Sequence, residues 1–209
     1  IDGIGSAGML RWSPDGRYVA QLDESNDSVA IRIIDVAAGT SRELARGTPN
    51  QGGNFSEFAW RSDSKAIRFV PGTSFPPGSP FLTGSKLPAG RVVNEVTLDG
   101  KRMALAALPD STWQPVGGRP SWPALHFIDD TLIALVSTEH LQLVSATTGR
   151  VGRTVTWPAG KKYARGFDVT ADKQWMAVGL DERNVLSGFP YLVSVKTGEL
   201  RAIPNPLGG

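Results

Sequence analysis

The chain has 209 residues, 40% of them hydrophobic and 20% charged, which suits one sizeable domain or two small ones and excludes a disordered chain. Its 22 basic and 20 acidic side chains are scattered and leave a net charge of +2, with no basic run of the kind that binds nucleic acid. There is no cysteine, which excludes disulfides and thiolate metal sites, and no stretch reaches the roughly 18 apolar residues of a membrane-spanning helix.

In chain order, Gly3, Gly5 and Gly8 come first, with the G-x-G-x-x-G spacing of a dinucleotide fingerprint. That motif needs a strand before the glycines and a helix after them. Here only Ile1 and Asp2 precede Gly3, and strand-like alternation follows Gly8, so the glycines read as a flexible lead-in. A start at Ile1 rather than Met is expected of a chain processed, trimmed or excised from something longer.

Next comes "LRWSPDGRYVAQL", then "VAIRIIDVAAGTSREL". The same grammar returns in "FAWRSDSKAIRFV" with "VVNEVTLDGKRMAL", in "LHFIDDTLIALV" with "LQLVSATTGRVGRTV", and in "FDVTADKQWMAVGL" with "YLVSVKTGELRAI". The anchors Trp12, Trp60, Phe127 and Val169 lie about 48, 67 and 42 positions apart. Four-stranded propeller blades repeat every ~40–45 residues, and the long interval holds an obvious insertion.

Each unit predicts four strands. A first strand ends at a turn such as Ser13-Pro14-Asp15-Gly16, where proline presets φ and glycine takes the exit conformation. A second alternates apolar and polar residues, and a third and fourth flank a glycine hairpin. Those hairpins place Gly39, Gly100, Gly149 and Gly198 in register, each where positive φ is needed. No helical periodicity of useful length occurs, so about sixteen short strands are expected.

"WSPDGRYVA" with "IIDVAAGTSREL" resembles the WD40-like repeats of TolB-type propellers and of the propeller domains of prolyl oligopeptidase-type peptidases. The first unit matches well and the second is an eroded copy. The third and fourth keep the spacing but lose the Ser-Pro-Asp-Gly turn. The resemblance implies an all-β, β-propeller-type fold of about four blades of four antiparallel strands. The expectation is a single domain over 1–209, with blades near 9–47, 55–108, 123–156 and 164–204 and an insertion over 71–91. Related propellers usually have six to eight blades. A closed four-bladed ring, a segment of a larger ring and an arc completed by another chain all remain open, and a segment or arc that meets a partner is the expectation. An open arc would expose sheet edges and invite self-association.

Connection lengths carry the functional inference. In a blade the first-to-second and third-to-fourth turns share one face, while second-to-third loops and the links between blades share the other. The tight glycine turns fall on the first face. The long irregular segments, including 71–91, 109–122 and 180–190, fall on the second. Long loops on a rigid scaffold are disproportionately functional. The 71–91 insertion has nine Gly or Pro among 21 residues and two aromatics, Phe75 and Phe81. These either tuck back onto the sheet or anchor a contact. Trp113, Arg119 and Trp122 follow in the next long segment and are residue types enriched at interface hot spots, although Trp122 can also serve as core.

No catalytic constellation stands out. There is no G-x-S-x-G elbow, and the only histidines, His126 and His140, sit in strand and hairpin contexts. Asp129-Asp130 and Asp181-Glu182 read as turn residues rather than an acid–base pair or calcium site. Asp15, Asp63, Asp129 and Asp172 recur in register, which makes them turn formers. Trp12, Trp60 and Trp175 are expected in core or inter-blade packing. No metal or cofactor is expected. The resulting expectation is a non-enzymatic module that binds a protein or peptide partner through its long-loop face. A periplasmic or cell-envelope setting is suggested by the TolB resemblance, with the cytoplasm as the alternative. The second reading is the non-catalytic, substrate-gating propeller of a prolyl oligopeptidase-type hydrolase whose catalytic domain is absent here. A weaker third is a small-ligand or sugar-binding propeller with Trp113 and Trp122 as stacking platforms.

Overall fold

A computed structural model describes residues 9–24, 29–47, 58–70, 92–109, 114–116, 119–121, 124–181 and 189–203. Every regular element among them is a strand, and the chain divides into two compact units, Ile1–Leu108 and Pro109–Gly209.

The first unit contains two four-stranded antiparallel sheets. One is β1 (Leu10–Trp12), β2 (Tyr18–Glu24), β3 (Val29–Asp35) and β4 (Thr40–Gly47), in sequential order. The other is β5 (Phe58–Trp60), β6 (Ala66–Phe69), β7 (Val92–Thr97) and β8 (Arg102–Ala107), also in sequential order. Period-two alternation puts Ala20 and Leu22 of β2 on the same face as their β3 partners Ile33 and Ile31. That face packs on Phe58, Ile67 and Val96 of the second sheet. Phe58, Ile67 and Val96 are fully buried, each contributing about 1.5–3 kcal/mol of transfer free energy.

The second unit repeats the plan after a short hairpin. β9 (Gln114–Val116) and β10 (Arg119–Ser121) pair through Arg119 opposite Val116. Then come β11 (Ala124–Phe127), β12 (Leu132–Val136), β13 (His140–Ser145) and β14 (Val151–Thr156), followed by β15 (Lys162–Val169), β16 (Trp175–Asp181), β17 (Phe189–Ser194) and β18 (Leu200–Ala202). Met176, Val178, Leu180 and Val193 of the last sheet pack on Ala134, Val136, Leu141 and Leu143 of the sheet before it. The chain therefore carries four blade-type sheets, the count the repeats imply. The β9–β10 hairpin is additional. Its two-residue Gly117-Gly118 connection was a legible hairpin signal within a segment read as irregular.

The third-to-fourth turns place Gly39, Gly100, Gly149 and Gly198 at φ of 66°, 88°, 70° and 74°, as expected from register. The first-to-second turns retain more of the repeat than their sequences suggest. Ser13, Arg61 and Thr170 each donate their backbone N–H across the turn, to the carbonyls of Tyr18, Ala66 and Trp175. The position filled by Gly16 at φ 71° in the first blade is filled by Ser64 and Lys173, both at φ 59°. The left-handed turn thus persists in the second and fourth blades without its glycine. The third blade uses a shorter version from Ile128 to Leu132.

Two expectations fail. Asp181, read as a turn residue, ends strand β16 and is buried. Trp60 is half-buried and Trp175 lies under the Arg201 guanidinium, but Trp12 is 62% exposed. Its strand alternation aims it at the face of the first blade opposite to the Ala20–Ile33 core.

Candidate functional site

Antiparallel order fixes which connections share an end. In every blade the β1–β2-type and β3–β4-type turns close one end, and the links to the next strand pair or the next blade leave from the other. The turn end is built from short, hydrogen-bonded loops. Ser13 donates its hydroxyl to Asp15 Oδ1 at 2.7 Å, and the same oxygen accepts the Arg17 N–H at 3.1 Å. Thr170 and Asp172 repeat this, with 2.6 Å between their side chains and a 3.0 Å bond from the Gln174 N–H. Asp63 accepts from the Arg61 guanidinium and, at 3.0 Å, from the Lys65 N–H. Asp129 Oδ1 takes the Thr131 N–H, the Thr131 hydroxyl and the Leu132 N–H at 2.6, 2.8 and 2.9 Å.

These bonds favour the ionised form of Asp15, Asp63 and Asp172. The Ser13 hydroxyl lowers Asp15 below its usual range, the Thr170 hydroxyl does so for Asp172, and the Thr97 hydroxyl for Asp99. The Arg61 guanidinium takes Asp63 from 3.8 down to about 2. A carboxylate whose lone pairs are occupied by its own turn is a poor general base. The four aspartates work as turn formers, as their register implies.

The His126 ring and the His140 backbone both make structural contacts. His126 lies flat on Phe167, with ring centroids 3.9 Å apart and planes 3° off parallel. Near His140, Ser137 accepts the backbone N–H of His140 at 3.1 Å and donates its hydroxyl to the His140 carbonyl at 2.9 Å. That is a side-chain-closed hairpin, not a serine–imidazole pair. Among the described residues no three His, Asp or Glu side chains gather as metal ligands, and no helix is long and apolar enough to cross a membrane.

The connections from β6 to β7 (71–91) and from β16 to β17 (182–188) leave from the opposite end, and residues 117–118 join β9 to β10. Phe75, Phe81, Trp113 and Trp122 lie outside the described residues. Arg119 opens β10, its backbone paired with Val116. The Ser137–Glu139 turn and the Trp157–Lys161 link are short, so in the second unit this end mixes tight and long connections.

With this geometry in hand, the likeness to solved structures is informative. TolB from Acinetobacter baumannii superposes with a TM-score of 0.57 at 14% identity, over 92% of this chain and 42% of that one. Acylaminoacyl peptidase from Pyrococcus horikoshii matches with a TM-score of 0.55 at 14% identity, over 96% of this chain and 32% of that one. The β-propeller domain of the Trilobed protease from Pyrococcus furiosus, described as having an open velcro topology, gives 0.54 at 13% identity, over 94% and 56%.

The sheets are β-propeller blades. At these identities the likeness is one of fold, and it agrees with the repeats read from the sequence. The chain spans between about a third and just over half the length of each of these proteins. No family model and no curated protein sequence matches it.

Proposed function

We propose that this chain is a non-enzymatic propeller-type module that holds a protein or peptide partner with the segments leaving the blade ends opposite the tight turns. The observation that carries this reading is the division of labour between the two ends of the first, second and fourth blades. One end is closed by short loops whose side chains are consumed in their own hydrogen bonds. From the other leave the long connections 71–91 and 109–123, which contain Phe75, Phe81, Trp113, Arg119 and Trp122. Aromatic and arginine side chains on a stable sheet are suited to a contact surface, since they bring large area at small conformational cost. The single-domain reading of 1–209, a cell-envelope setting and the role of those five residues belong to this proposal.

The likeness to acylaminoacyl peptidase and to a protease propeller favours a second reading, in which the blades gate access to a hydrolase domain carried elsewhere. The two separate on one experiment. Immobilised wild-type chain and a Trp113→Ala/Trp122→Ala variant are compared for specific protein recovery from an extract of the source cells. Recovery of one defined protein by the wild type, lost in the variant, supports the module. Equal recovery by both overturns it.

A further inference from the structure

The third and fourth strands of the four blades align on one backbone bond. The N–H groups of Val36, Leu98, Ala146 and Val195 donate back across their sheets to the carbonyls of Arg17, Lys65, Thr131 and Gln174. Three positions upstream of these residues stand Ile33, Glu95, Leu143 and Leu192, and their partners on the outer strand are Arg42, Met103, Arg153 and Arg201. The first, third and fourth blades thus carry an exposed arginine at one and the same outer-strand position, where the second has an exposed methionine.

That arginine makes the same contact in both units. In the first, Arg42 of β4 donates from Nη2 to the carbonyl of Leu98, in the β7–β8 hairpin of the following blade. In the second, Arg153 of β14 donates from Nη1 to the carbonyl of Thr197, in the β17–β18 hairpin. The two hairpins close differently, Gly100 N–H on the Thr97 carbonyl and Gly198 N–H on that of Ser194, yet each offers the guanidinium a carbonyl. Hairpin-tip carbonyls lie outside the strand ladder, and a charged donor meets one more strongly than a neutral donor does. Gly198 leaves the path open for Arg153, since a Cβ there would lie 2.8 Å from its Cδ. Arg201, at the same position in the fourth blade, turns back on its own sheet, 2.7 Å from Glu199 Oε1 and 4.9 Å over the Trp175 ring. The reach of Arg42 and Arg153 is therefore set by the hairpin beside them and not by the strand they stand on.

We propose that Arg42 and Arg153 are latches, each coupling the third-to-fourth hairpin of one blade to the outer strand of the blade before it, so that the hairpin opens together with release of that strand. Each latch acts inside its own two-blade unit. The proposal does not rest on the partner-binding reading, which concerns the opposite ends of the blades.

The test is residue-resolved hydrogen exchange of the full chain in Arg42→Met and Arg153→Met, which install the residue that the second blade carries. Both arginines are exposed, so no core contact is lost, and circular dichroism checks the fold. Arg42→Met is expected to speed exchange at the Leu98 and Gly100 N–H groups by about tenfold, the equivalent of one net hydrogen bond, and to leave Gly39, in the hairpin of Arg42 itself, unchanged. Arg153→Met is expected to do the same at Val195 and Gly198 and to spare Gly149. Unchanged exchange at either target hairpin overturns the proposal. So does acceleration that reaches Gly39 or Gly149 as strongly as the target hairpins, because that is the mark of a general loss of stability and not of a released latch.

Discussion

The backbone N–H of Asp15 donates to the hydroxyl of Ser64, 49 positions further along the chain, at 3.0 Å. This bond ties the first turn of one blade to the equivalent turn of the next. Ser64 is 4% exposed and sits at φ 59°, a conformation that L-residues adopt at a cost of about 1–2 kcal/mol. Lys173 has the same φ in the fourth blade, but is exposed. Lys173→Gly is therefore expected to stabilise the protein by roughly 1 kcal/mol. Ser64→Gly relieves the same strain but loses the bond from the Asp15 N–H, a loss of about 0.5–1.5 kcal/mol, so it is expected to stabilise less than Lys173→Gly. Urea midpoints of the two variants check the pair. Equal stabilisation by both would remove the hydroxyl from the account of this turn.

The turn carboxylates set a response to acid. Asp63 has a folded-state value of about 2 against 3.8, and Asp15, Asp99 and Asp172 are also lowered. A lowered value means that the folded form binds fewer protons than the unfolded one between the two values. The associated stability is fully present above about pH 4 and is lost as pH falls towards 2. The thermal midpoint is expected to drop across that interval, and Asp63→Asn to flatten the drop. An unchanged slope in Asp63→Asn would contradict the Arg61 pairing.

Glu95 joins two arginines inside the second blade. Arg61 Nη1 lies 3.0 Å from one carboxylate oxygen and Arg68 Nε 2.8 Å from the other, and Glu95 is 3% exposed. Removing the shared acid leaves the buried Arg68 charge without its counter-ion. Glu95→Ala is expected to cost about 3–5 kcal/mol. Glu95→Gln, which keeps the shape, is expected to cost less. Chemical denaturation of both distinguishes a charge effect from a packing effect.

Glycine is required to different degrees in the hairpins. A Cβ at Gly198 would lie 2.8 Å from Arg153 Cδ, whereas one at Gly39 would meet nothing within 4 Å. Both have positive φ. Gly39→Ala is expected to cost only the backbone strain, about 1–2 kcal/mol. Gly198→Ala is expected to cost more, because it also displaces the Arg153 guanidinium from the Thr197 carbonyl. In an Arg153→Ala background that excess is expected to shrink to what Val155 Cγ2, 3.1 Å from the added Cβ, imposes.

The blade count, the strand order and the hairpin glycines were legible because they follow from local chemistry repeated four times. Asp15, Asp63, Asp129 and Asp172 were correctly readable as turn formers for the same reason. The fourth turn was harder to recognise, since Lys173 occupies a glycine position and only backbone geometry reveals the equivalence. Trp12 was misplaced because its burial depends on a neighbouring sheet, and alternation specifies a face without specifying what covers it. The shared bulge site, between Ile31 and Arg32 in the first blade and between Val93 and Asn94 in the second, left no sequence mark. The Ser64–Asp15 bond and the Glu95 bridge arise from packing between or within sheets, which spacing alone does not encode.

The most direct measurement is hydrogen exchange of the chain alone and in complex with the protein recovered by its long-segment surface. Protection concentrated in the peptides covering 71–91 and 110–123, with the turns at Ser13–Tyr18 and Val36–Gly39 unchanged, is the expected result. Protection confined to those tight turns, with 71–91 and 110–123 exchanging as in the free chain, would contradict the assignment of the binding end.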